Sequence, residues 1–158
     1  MAQNEGFVAT HTLLVIWRAV KFLPDLYAEL SASEQNIIWW TTLLHDIRKL
    51  GTPLIEGKDH CHPFKGAAAV LDVFRLLGIL NCSTKHRQHL FDQVCRLLSE
   101  SVQPLPRKQL AEISHGKCCM TTMHSHHNLA QIFYLLWEEK LAPRGSFIDL
   151  VFRTVLFH

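Results

Sequence analysis

The chain has no C-x-x-C pair, no run of about 18 apolar residues and little net charge. Each absence removes a class of protein. The five cysteines, Cys61, Cys82, Cys95, Cys118 and Cys119, are odd in number, which argues against a disulfide framework and fits free thiols in a reducing compartment. Without a long apolar run, no membrane span is expected. A net charge of +2 carried by scattered basic residues leaves no electrostatic footprint for nucleic acid or an anionic membrane. The opening "MAQNEGFVATH" lacks a basic stretch followed by an apolar one, so no secretory signal is expected and the location is read as cytoplasmic. No segment alternates convincingly, and no repeat or low-complexity linker divides the chain.

What remains is helical periodicity. With 158 residues, 48% hydrophobic and 19% charged, the chain reads as one globular domain over 1–158. "THTLLVIWRAVKFL" (10–23) is apolar nearly all round, with Thr10 as a plausible N-cap and Pro24 as its stop. "SASEQNIIWWTTLLHDIRKLG" opens on the capping box Ser31-x-x-Glu34 and is expected to run to Gly51. "HPFKGAAAVLDVFRLLG" places His62 at the N-cap, Pro63 at the first helical position and Gly78 just past the end. A fourth helix shows Leu90, Val94, Leu97 and Leu98 on one face. Residues 104–125 read as a short helix and a long loop. "HNLAQIFYLLWEEKLA" carries the stripe Leu129, Ile132, Phe133 and Leu136, and "SFIDLVFRTVLF" makes a last helix. The expected fold is an all-α bundle of about six or seven helices.

Eleven histidines are the compositional excess, and histidine both ligates metals and exchanges protons near neutrality. "WWTTLLHDIRKLG" sets His45 and Asp46 side by side among Leu43, Leu44 and Ile47. A desolvated carboxylate needs a partner. A divalent cation satisfies imidazole and carboxylate together; the alternative is a solvent-facing pair at a frayed helix end.

The dyad resembles the signature of the HD-domain superfamily of metal-dependent phosphohydrolases, in which "LLHDIGK" corresponds to "LLHDIRK" here (43–49). "HTLLVIWRA" from His11 is similar to the family's first helix, whose leading His is a ligand. "HPFKGA" (62–67) is similar to its H-x-x-x-G-A helix start, and "LWEEKLA" (136–142) to the segment supplying a last Asp ligand. His45 lies 34 residues after His11, and His62 lies 16 after Asp46, ordinary spacings for the family. Three departures stand out. Glu139 occupies the place of the final Asp and continues the stripe from Leu135 and Leu136; Ser101 stands near a second-metal His; Arg48 replaces the motif's Gly. They favour one ion over two and also favour a module that binds without turnover.

The resemblance implies His11, His45, Asp46 and Glu139 around one divalent ion (Mn, Fe, Ni, Zn, Co or Mg), with Asp46 also orienting the attacking water. It implies hydrolysis of a small phosphomonoester or phosphodiester, commonly a nucleotide. Lys49, Arg18 and Arg48 are the candidates for substrate phosphate, and His62 for an anion contact, a general acid or a group supporting the ligands. Each has a structural alternative: a backbone-bonded His11, Lys49 and Arg48 complementing their own helix end, a snorkelling Arg18, a capping His62, a surface pair for Glu139. "CCMTTMHSHH" (118–127) fits zinc spacing poorly, but as a loop it can lend His126 or His127 to a pocket. Phe147, Leu150, Val151 and Val155 of the last helix bury against the bundle or against another copy in a homodimer.

Overall fold

A computed structural model describes residues 2–22, 28–48, 62–101 and 123–157. Among them are six helices and no strand: α1 Ala2–Phe22, α2 Ala32–Leu44, α3 His62–Leu76, α4 Lys85–Glu100, α5 Met123–Trp137 and α6 Phe147–Leu156. α3 and α6 form the centre of the bundle. α6 also lies on α2, α4 packs on α3 and α5, and α1 rests on α2. Phe74 of α3 and Phe152 of α6 are fully buried. Phe74 meets Trp40 edge-on at 5.2 Å and Phe147 at 5.4 Å, so three helices share one aromatic contact.

The caps explain most helix ends. Ser31 Oγ accepts from the Glu34 amide while the Glu34 carboxylate accepts from the Ser31 amide, closing the expected capping box. The Ser31 hydroxyl, and then its amide, donate to the Glu34 carboxylate and hold it below its ordinary value. Thr84 caps α4 and Ser146 caps α6 in the same way. Gly78 adopts φ 71°, left-handed as its place after α3 requires, and lets the Leu80 amide reach back to the Phe74 carbonyl. The stripe Leu90, Val94, Leu97 and Leu98 is buried.

Four boundaries differ from the sequence expectation. α1 begins at Ala2, so Thr10 is interior and not a cap. α2 stops at Leu44, and His45–Arg48 form a turn; Gly51 lies outside the described residues. α5 begins at Met123, inside the stretch expected to be loop. It ends at Trp137, because Lys140 at φ 56° turns the chain and the Ala142 amide closes on the Leu136 carbonyl. In the last helix Val151 and Val155 are buried inside the chain's own core, with Phe147 packed against it, so the bundle itself covers that face. Cys82 and Cys95 are free and half-buried, and burial pushes the Cys95 thiol up to about 12 and Cys82 in the same direction. Cys61, Cys118 and Cys119 fall outside the described residues. No described helix is long and apolar enough to cross a membrane.

Candidate metal centre

The first two residues of the turn that ends α2 are buried, which is unusual for a helix terminus carrying a carboxylate. Asp46 is 1% exposed and His45 is 6% exposed. Three imidazoles from three elements converge on that carboxylate. His11 of α1 places Nε2 3.6 Å from Asp46 Oδ2, and His45 places Nε2 3.5 Å from the same oxygen. His62, the first residue of α3, places Nε2 3.6 Å from Oδ1. The His11 and His45 rings stand 5.8 Å apart, tilted by 55°.

The orientation of His45 matters most. Its Nδ1 lies 2.8 Å from the Thr42 carbonyl oxygen, an acceptor only, so Nδ1 carries the proton and donates. In the neutral ring Nε2 then holds a lone pair that faces a carboxylate oxygen. Two electron-rich atoms brought together in a buried site call for a cation between them. His11, His45 and Asp46 each offer one ligand atom, all within 4.8 Å of one another, and the group can hold a metal ion. Backbone-fixed imidazole next to carboxylate is the donor set that borderline divalent ions take. His62 sits on the second carboxylate oxygen, outside that group of three.

Small residues let α3 come this close. A Cβ built on Gly66 meets Val155 Cγ1 at 3.0 Å and the His45 carbonyl oxygen at 3.5 Å, and Ala67 beside it is fully buried. The "HPFKGA" pattern therefore has a packing reason: its glycine seats α3 directly under the dyad. Gly66→Val drives branched carbons into that carbonyl and into a fully buried valine. A loss of about 2–3 kcal/mol in urea unfolding is expected, with weakened metal affinity. Gly66→Ala loses less, because a helix-interior alanine regains about 1 kcal/mol of propensity.

Of the remaining candidates, Glu139, Ser101 and Arg18 lie away from the dyad. Glu139 follows the end of α5 and faces His86 Nε2 at 3.9 Å. Arg87, next to His86, donates to the carbonyls of Asn81, Lys140 and Leu141, tying this corner to the connection that leaves α3. His62 opens α3 and that connection follows its close, so about 20 Å of helix separates Glu139 from the carboxylate. The helical stripe that aimed Glu139 inward does not exist beyond Trp137. Ser101 donates to the Leu97 carbonyl and accepts from Asn128, an ordinary helix-end arrangement. Arg18 is exposed two turns along α1 from His11, and Arg48 is exposed beside the dyad. Lys49 lies outside the described residues. His126 and His127 stand in the first turns of α5, with the His127 ring 2.9 Å from Gln131. The Thr42 carbonyl that orients His45 has no sequence signal, since any residue presents one.

No protein-family model, curated protein or solved structure matches the chain. What the centre can do follows from its own residues.

Proposed function

We propose that the chain is a divalent-metal-dependent phosphoester hydrolase of the HD type, acting on a small phosphorylated molecule such as a nucleotide. The observation that carries this is the convergence of His11, His45 and His62 on one buried carboxylate. His11, His45 and Asp46 hold the ion; His45 is fixed for the task by Thr42. A bound divalent ion supplies a water acidified toward neutrality and polarises the phosphoryl group. Asp46, whose second oxygen faces His62 at 3.6 Å, would orient the attacking water, and His62 would supply a proton to the departing alkoxide. Arg48 at the exposed edge meets substrate phosphate. The open face of the centre is on the α1 side, where the His11 side chain is 43% exposed.

A second function, ion or nucleotide binding without turnover, is favoured by one observation: Glu139, the residue matching the family's last ligand, stands at the far end of α3. One experiment separates the two. The purified chain is dialysed against chelator, loaded with Mn²⁺, Ni²⁺, Co²⁺ or Zn²⁺, and assayed on aryl phosphate mono- and diesters and a nucleotide panel. Ion-dependent release of phosphate or alcohol that His45→Ala removes supports hydrolysis. Stoichiometric ion binding with no turnover supports the second function. Failure to bind any ion overturns the hydrolase, and failure to bind nucleotide as well overturns both.

A further inference from the structure

We propose that α1 is a lid over the metal centre, closed and latched by the ion through His11. The lid rests on the function proposed for this centre, with His11, His45 and Asp46 as ligands. Helices α2 to α6 all give side chains to the hydrophobic core. Among the described residues α1 gives none and packs none against it. Its inner face, His11, Thr12, Val15, Ile16 and Ala19, is only partly buried, and its main neighbour is α2. Segments with few buried apolar contacts open locally well before the whole chain unfolds. α1 nevertheless carries His11, midway along its 21 residues, to 3.6 Å from Asp46.

The burial of the other two ligands requires a wall that moves. The Asp46 side chain is 1% exposed and that of His45 8%, whereas His11 forms the outer side of the centre. A divalent ion arrives hydrated and exchanges waters for ligands, so it needs a path to Asp46. The turn bearing the dyad follows the buried Leu44, and α3 is seated in the core by Ala67, Val70 and Leu71. Moving either element breaks that core. Lifting α1 uncovers the dyad and leaves the described core intact. The ion then meets two ligands with α1 raised and three with α1 down. It favours the closed form by the ratio of those two affinities, and closure of α1 strengthens ion binding by the same ratio.

Hydrogen exchange read by mass spectrometry on the full chain tests the lid, with Zn²⁺ as the probe ion. In chelator, amides of residues 12–19 should exchange about a hundredfold or more faster than those of residues 67–74 in α3. Saturating Zn²⁺ should slow the α1 amides about tenfold or more, but less than about twofold in His11→Ala. Val15→Ala with Ile16→Ala keeps a helix-favouring sequence and trims the grip on α2. This double variant should release Zn²⁺ into excess chelator about tenfold faster, with α3 exchange and circular dichroism unchanged. Zn²⁺ binding in calorimetry with α1 exchange unmoved overturns the lid and leaves the ion site standing. So does an α1 as protected as α3 in chelator, or a release rate that the double variant leaves unchanged. Slowing that survives His11→Ala puts the latch elsewhere and also overturns the lid. No Zn²⁺ binding overturns the lid and the ion site together.

Discussion

Asp46→Asn is expected to lower divalent-ion affinity at least a hundredfold and to bring ion-dependent hydrolysis below detection. The substitution keeps the size of the side chain and removes only its charge. Asp46 is the sole carboxylate in the group of three, so the neutral variant leaves the ion two imidazoles and an amide oxygen. A hundredfold change corresponds to about 2.7 kcal/mol, a modest share of what a charged ligand contributes to binding. Stability reports the opposite way. In chelator the buried carboxylate of the wild type is a desolvated anion whose neighbours include an imidazole lone pair, so Asn should leave urea unfolding unchanged or raise its midpoint. A carboxylate serving as the counter-ion of the fold gives the reverse pattern, with stability falling by several kcal/mol and ion affinity unaffected. Titration calorimetry and urea unfolding, each with and without ion, distinguish the two. Retained ion binding in the variant removes Asp46 from the centre.

The sequence made much of this legible, and the reasons differ from part to part. Helical spacing and caps located all six described helices, because an apolar stripe facing a neighbour is written every three to four residues. Ser31–Glu34 and Gly78 were readable because a cap needs a particular side chain or none. His45 and Asp46 stood out because a charged pair among leucines demands a partner. Helix ends without such chemistry were not readable. α5 stops inside "WEEKLA", where Lys140 takes a left-handed turn that no residue type announces. That turn also moved Glu139 from a helical face to the surface beside His86, because its inward aim depended on two more residues of helix. His62 gained a place on the carboxylate for the converse reason: Gly66 removes the bulk that would hold α3 away. Distances between helices depend on such clearances, and a one-dimensional pattern records them only as small residues.

The largest stability effect is expected at Asp149, a residue no functional motif singled out. It is fully buried near the N-terminus of α6 and accepts from three sources. Trp137 Nε1 donates to Oδ1 at 2.8 Å, the Gly145 amide to Oδ2 at 2.7 Å, and Arg153 reaches both oxygens at 3.1 Å. The carboxylate thus fastens the end of α5, the turn at Gly145 (φ 77°) and the body of α6 into one unit. Asp149→Ala strips the acceptor and leaves an indole N–H, an amide N–H and a guanidinium in a largely closed space. A loss of about 3–5 kcal/mol is expected in urea unfolding, a large part of the stability of a domain this size. Arg153→Met should lose only about 1 kcal/mol, because Arg153 is 33% exposed and solvent screens its pair, while the two N–H donors continue to hold the anion. Asp149→Asn falls between them, since its amide can accept from Trp137 or Gly145 but must turn an N–H₂ toward the other. If Asp149→Ala unfolds within 1 kcal/mol of wild type, α6 is held by its apolar face alone and the carboxylate is incidental to the fold.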